Sequence, residues 1–95
     1  MSLFVTFNKM NVMKTDILPQ QIRAARALID WTREDLANAS GVTVRTLARI
    51  ESSQTLPRPA TLQAISSALE AAGIEFISQN GGGPGVRLAL RLDDN

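Results

Sequence analysis

Arg45 and Arg49 stand four residues apart in the stretch Thr43-Val44-Arg45-Thr46-Leu47-Ala48-Arg49-Ile50-Glu51. On a helix turning about 100° per residue they project side by side, while Leu47 and Ile50 point the other way. A guanidinium carries its N–H donors in a planar fork that matches phosphate oxygens, or the O6 and N7 of guanine, two at a time. Ala48 between the arginines is small enough to let the helix approach another surface closely, and a helix of this diameter fits the major groove of B-DNA. The plainer reading is a solvated face, since charged side chains on helices are mostly exposed. The elements around the pair decide between the two.

Pro19 suits the first turn of a helix, and Ile22, Ala25 and Ile29, with Leu28 beside them, form an apolar stripe that ends at Asp30-Trp31. Thr32-Arg33-Glu34-Asp35 has the form of a capping box, Thr32 as N-cap and Asp35 at the third helical position. Leu36, Ala37 and Ala39 supply the apolar face of this second helix, and Gly41 closes it in a left-handed turn. Thr43 caps a third helix running from residue 44 to about 52. The Gly41-Val42-Thr43 link is the short, glycine-bearing connection of a helix-turn-helix. A proline-flanked loop, residues 53–59, leads to a fourth helix over about 60–72, with Leu62, Ile65 and Leu69 on its inner face and Gly73 as its stop.

The ends have a different character. The runs 74–78 and 86–91 flank Asn80-Gly81-Gly82-Gly83-Pro84-Gly85 and predict a β-hairpin. Val86, Leu88 and Leu90 share its buried face, Arg87 and Arg91 the wet one. Leu3-Phe4-Val5-Thr6-Phe7 alternates as a short strand does. The division is an N-terminal arm at 1–17, alternatively unstructured; a helical domain at 18–73; and a hairpin with tail at 74–95, a candidate dimerisation element. The fold class is mainly α: a four- to five-helix bundle with short strands at both ends.

Composition narrows the chemistry. Ninety-five residues, 44% hydrophobic and 20% charged with a net charge of +1, suit one small domain. There is no cysteine, histidine or tyrosine, which excludes disulfides, thiolate or imidazole metal sites and the Ser-His and Cys-His nucleophilic machinery. Glu34 and Asp35 are adjacent on a helix and do not face each other, so they make a poor acid–base pair. Residues 81–85 lack the lysine and hydroxyl residue of a phosphate loop. Trp31, at the end of the first helix, reads as core cover for the small alanines of the second rather than a base-stacking ring. No enzyme, cofactor or metal is expected. No apolar run approaches the roughly 20 residues of a membrane helix, and the start lacks a cationic leader, so a cytoplasmic chain is expected. Net charge is too small to point to nucleic acid. Placement matters instead, and eight of the ten cations are arginines.

The segments Gln21-Ile22-Arg23-Ala24-Ala25-Arg26, Trp31-Thr32-Arg33-Glu34-Asp35-Leu36-Ala37, Ser40-Gly41-Val42-Thr43, Thr46-Leu47-Ala48-Arg49-Ile50-Glu51 and Pro59-Ala60-Thr61-Leu62-Gln63-Ala64-Ile65 together resemble the XRE helix-turn-helix family of Cro and phage-repressor DNA-binding domains. The resemblance covers about residues 18–73. It implies a compact α bundle that reads double-stranded DNA as a homodimer on a pseudo-palindromic operator, in a regulator of repressor type. It places base reading on Thr43, Val44, Arg45 and Arg49, with Val44 suited to a thymine methyl. It places phosphate contacts on Thr32, Arg33, Thr46, Ser52, Gln54 and Arg58, the loop being the weaker transfer because relatives often carry Asn-Gly and a lysine where this chain has Ser52-Ser53-Gln54. It makes Arg26 and Glu51 a partly buried structural ion pair. Two other functions use the same fold: a DNA-binding antitoxin with a toxin partner, and a protein-interaction adaptor whose arginines meet an acidic partner.

Overall fold

The computed structural model describes residues 16–79 and 81–89. Within them, four helices precede two strands: α1 (Pro19–Leu28), α2 (Arg33–Ser40), α3 (Val44–Glu51), α4 (Pro59–Ala71), β1 (Ile74–Ile77) and β2 (Gly85–Leu88). The chain is mainly helical with a C-terminal hairpin, as its pattern predicts. The strand expected at residues 3–7 lies outside the described residues.

Local chemistry sets the helix ends. Pro19 occupies the first turn of α1, and the Gln21 Oε1 accepts the Leu18 N–H at 2.8 Å, satisfying one open donor. The helix stops where Asp30 turns left-handed, with φ 57°. The Asp30 N–H then returns to the Ala27 carbonyl and the Trp31 N–H to that of Arg26, the paired bonds of a Schellman ending. Ile22, Ala25 and Ile29 all pack in or against the core as the stripe predicts, and only Leu28 departs from it. Leu28 is the last helical residue and 43% exposed, while Ile29 is the cap and half-buried. The same motif closes α3, where Ser53 (φ 62°) bonds to the Ile50 carbonyl and Gln54 to that of Arg49.

One core joins the elements. Ile22 and Ala25 of α1, Leu36 of α2, Leu47 and Ile50 of α3, Ile65 and Leu69 of α4 and Ile74 of β1 are at most 2% exposed. Each large side chain buried this way is worth roughly 1.5–3 kcal/mol. Trp31 is half-buried against this cluster. Ala39, expected on the apolar face of α2, is exposed; that face is centred between Leu36 and Ala37, which leaves Ala39 about 110° from its middle.

The hairpin is antiparallel, with Ile74 opposite Leu88 and Ile77 opposite Gly85. Glu75 and Arg87 pair across its wet face, Arg87 donating from Nε at 3.0 Å and Nη2 at 3.1 Å. On the other face Val86 is half-buried but Leu88 is 37% exposed, so the expected apolar face is covered at one end only. Leu90 and Arg91 fall outside the described residues. The Gln21 amide, 6% exposed, donates from Nε2 to the carbonyls of Gly85 at 2.9 Å and Ile77 at 3.4 Å, tying α1 to both strands.

Candidate nucleic-acid interface

The α2–turn–α3 unit is built by caps at both helix starts. The Thr32 Oγ1 accepts the Asp35 N–H at 3.0 Å, and the Asp35 carboxylate accepts the Thr32 N–H at 2.9 Å. This is the reciprocal capping box expected from the sequence. Gly41 takes φ 79°, a left-handed value costly for other residues, and bonds back to the Ala37 carbonyl. The Val42 N–H then donates to the Ser40 Oγ. The Thr43 Oγ1 accepts the Thr46 N–H at 3.1 Å and donates to the Thr46 Oγ1 at 3.0 Å. The Thr43 hydroxyl is therefore spent on the cap, and the Thr46 hydroxyl donates to no acceptor among the described residues.

Leu47 and Ile50 anchor one face of α3 in the core, and Arg45 and Arg49 stand exposed on the other. Ala48 lies half-buried between them, and Val44 is 37% exposed at the helix start. Gln54 and Arg58 are exposed in the following segment, Arg58 as the N-cap residue of α4. Ser52 is exposed too, but its hydroxyl donates to the carbonyls of Ala48 at 2.8 Å and Arg49 at 3.3 Å. Its proton points along the helix, not outward.

Behind this face sits Glu51, 1% exposed. Arg26 grips its carboxylate with two bonds of 2.8 Å, Nε to Oε2 and Nη2 to Oε1, and gives its Nη1 to the Trp31 carbonyl at 3.0 Å. Arg33 adds a bond from Nε to Oε1 at 3.0 Å. Arg23 donates from Nη1 to the Glu51 backbone carbonyl. Burial by itself would raise the Glu51 pKa, but the hydrogen bonds from Arg26 and Arg33 outweigh it and hold the carboxyl below its ordinary range. The Arg26 pKa is raised chiefly by its bond to Glu51, against the desolvation of its partly buried side chain.

The family resemblance paired Glu51 with Arg26 alone. Arg33 joins them here, and Arg23 reaches the end of the same helix. Arg23 lies three residues before Arg26, a spacing that shares a helix face, so its presence beside the pair had a local signal. The grip of Gln21 on the hairpin had only half of one: a Gln three residues after the N-cap fits a capping box, but nothing in it points to β2. Among the described residues, no group of three acidic, cysteine or histidine side chains could hold a metal ion, and no helix is long and apolar enough to cross a membrane.

A family model described as helix-turn-helix matches residues 22–75, more than half of the chain. No curated protein matches it. The matched span runs from the Ile22 core position of α1, through both capped helices and the Gly41 turn, to β1. With the caps, the turn and the exposed face of α3 in place, the chain belongs to the XRE-type helix-turn-helix family and is a DNA-binding protein of that regulator class.

Proposed function

We propose that the chain is a sequence-specific transcriptional repressor that reads an operator through the major groove as a homodimer and acts by occupancy, without catalysis, in the cytoplasm. The observation that carries this reading is the two-faced α3: Arg45 and Arg49 are exposed while Leu47 and Ile50 behind them are locked in the core. Arg45 and Arg49 read guanines, Val44 packs on a thymine methyl, and Thr43 approaches the same edge with its methyl group. Thr32, Arg33, Thr46, Gln54 and Arg58 meet phosphates and set the register.

A single module of this kind covers only about 600–1,000 Å² of protein surface on DNA, which favours two copies on half-sites about one helical turn apart. The hairpin supports such a pairing. Its sheet has two strands, so both outer edges are unpaired among the described residues. Beside β2 runs an open groove of about 360 Å³ lined in part by Leu18, Ala24, Pro84 and Val86.

Selection of bound duplexes from a random pool tests the reading. The expected result is two mirrored half-sites, each with guanines whose preference disappears in Arg45→Ala or Arg49→Ala. A selected pool with no shared sequence overturns it.

A further inference from the structure

Two guanidiniums converge on the Glu51 carboxylate and a third on the backbone carbonyl of the same residue, and one alone would have sufficed for the carboxylate. Arg26 alone satisfies both Glu51 oxygens with its Nε and Nη2, and gives its Nη1 to the Trp31 carbonyl. Arg33 nevertheless shares Oε1, and Arg23 caps the carbonyl of the same residue. Three positive charges against one negative leave the cluster a surplus of two. Crowding cations costs free energy unless an anion completes the set.

The geometry at Arg33 says where that anion would sit. Its Nε faces inward to Glu51, yet its side chain is 41% exposed. Among the described residues its Nη1 and Nη2 make no hydrogen bond. In a planar guanidinium, fixing Nε on one acceptor turns the opposite Nη1–Nη2 edge away from it, and that edge presents two donors in parallel. Arg33 opens α2, whose first turn also holds Glu34 and Asp35. Those carboxylates offset the positive end of the helix, so the grip on an anion must come from the guanidinium itself.

We propose that Glu51 is a positioning residue for DNA binding: it holds Arg33 by Nε and so aims the Nη1–Nη2 edge outward as a forked grip on a backbone phosphate of duplex DNA. The inference rests on the reading of α2 and α3 as the DNA-contacting unit. Glu51 itself touches no DNA. It gives the core ion pair and the phosphate contact a common anchor, so that the same carboxylate that orients α3 also sets the reach of the clamp on α2.

The test uses the full chain and a mixed-sequence duplex of about three helical turns, because phosphate contacts dominate binding without sequence preference. Affinity is measured against salt concentration. Arg33→Ala should weaken binding about tenfold per bound chain, as expected for a charge-assisted bond, and lower the salt slope by about one. Arg33→Lys keeps the charge but not the fork, and should lose several-fold in affinity. Equal affinity for Arg33→Lys and the unaltered protein overturns the inference, since charge alone would then suffice. In a Glu51→Gln background, Arg33→Ala should cost much less than in the unaltered chain; an undiminished cost also overturns it. If Glu51→Gln does not fold by circular dichroism, the lysine comparison decides. Absence of duplex binding by the unaltered protein would instead remove the functional reading on which the inference stands.

Discussion

Arg26 and Glu51 face each other fork to fork, joined by two hydrogen bonds of 2.8 Å between α1 and the last residue of α3. The Glu51 side chain is fully buried and that of Arg26 only 17% exposed. Taking two charges out of water is costly, and their mutual attraction roughly repays it. The pair is therefore a weak source of net stability but a strong constraint on the angle between the helices.

Removing one partner should cost far more than replacing both. Arg26→Leu leaves Glu51 with Arg33 as its remaining side-chain partner, and should destabilise the fold by about 3 kcal/mol. The double variant Arg26→Leu, Glu51→Leu should lose markedly less. Urea unfolding of the three proteins checks this, and a double variant at least as damaged as the single one would contradict it.

Acid should act through the same carboxylate. Because the Glu51 pKa in the folded chain lies below the unfolded value of about 4.3, its contribution is fully present above that pH. It is lost as pH falls from there through the folded value. Glu51→Gln should have lower stability at neutral pH and a flatter decline in acid than the unaltered chain. Parallel thermal-melting curves from pH 7 to pH 3, the two proteins falling together, would refute this assignment.

Ser53 holds the left-handed position that ends α3. A side chain there costs about 1–2 kcal/mol that glycine avoids, partly offset by the greater freedom of glycine in the unfolded chain. Ser53→Gly should therefore raise stability by about 0.5–1 kcal/mol, read as a higher urea midpoint with an unchanged slope.

Arg49 should act on sequence preference and not on the fold. Arg49→Ala should leave the melting temperature nearly unchanged, and relax preference at one base position by about 1–3 kcal/mol. Fluorescence anisotropy on the selected duplex and its single-base variants measures it. A uniform loss across all bases would make Arg49 a phosphate contact instead.

The hairpin edge offers a separate test of the dimer. The Ala89 N–H bonds to the Gly73 carbonyl, so by the alternation of an antiparallel ladder the Leu88 N–H points away from β1. Leu88→Pro removes that outward donor at an edge position where proline is tolerated. It should weaken self-association about tenfold while leaving the helices folded, as seen by sedimentation equilibrium and circular dichroism.

What the sequence disclosed was local. The Thr32–Asp35 box, the Gly41 turn and the Thr43 cap join residues at most four apart, and spacing alone carries such signals. The two faces of α3 followed from the period of the helix. Leu28 and Ala39 were misplaced because a stripe tells which side of a helix is apolar but not how wide a strip its neighbours cover, whereas Ile29, just past the end of α1, does pack against the core. Arg33 and Arg23 could not be joined to Glu51 by spacing, since 18 and 28 residues separate them along the chain. Only packing brings three helices to one carboxylate.

Gln21 gives α1 a second duty. This ten-residue helix, about 15 Å long, clasps the hairpin near its start and bears Arg23 and Arg26 on the way to its end. It works as a short beam, with the strands pinned to one extremity and α3 to the other. In the proposed dimer, a partner that shifts the strands would act on the pose of α3 through this beam, coupling the spacing of the two copies to the pitch of their guanidiniums.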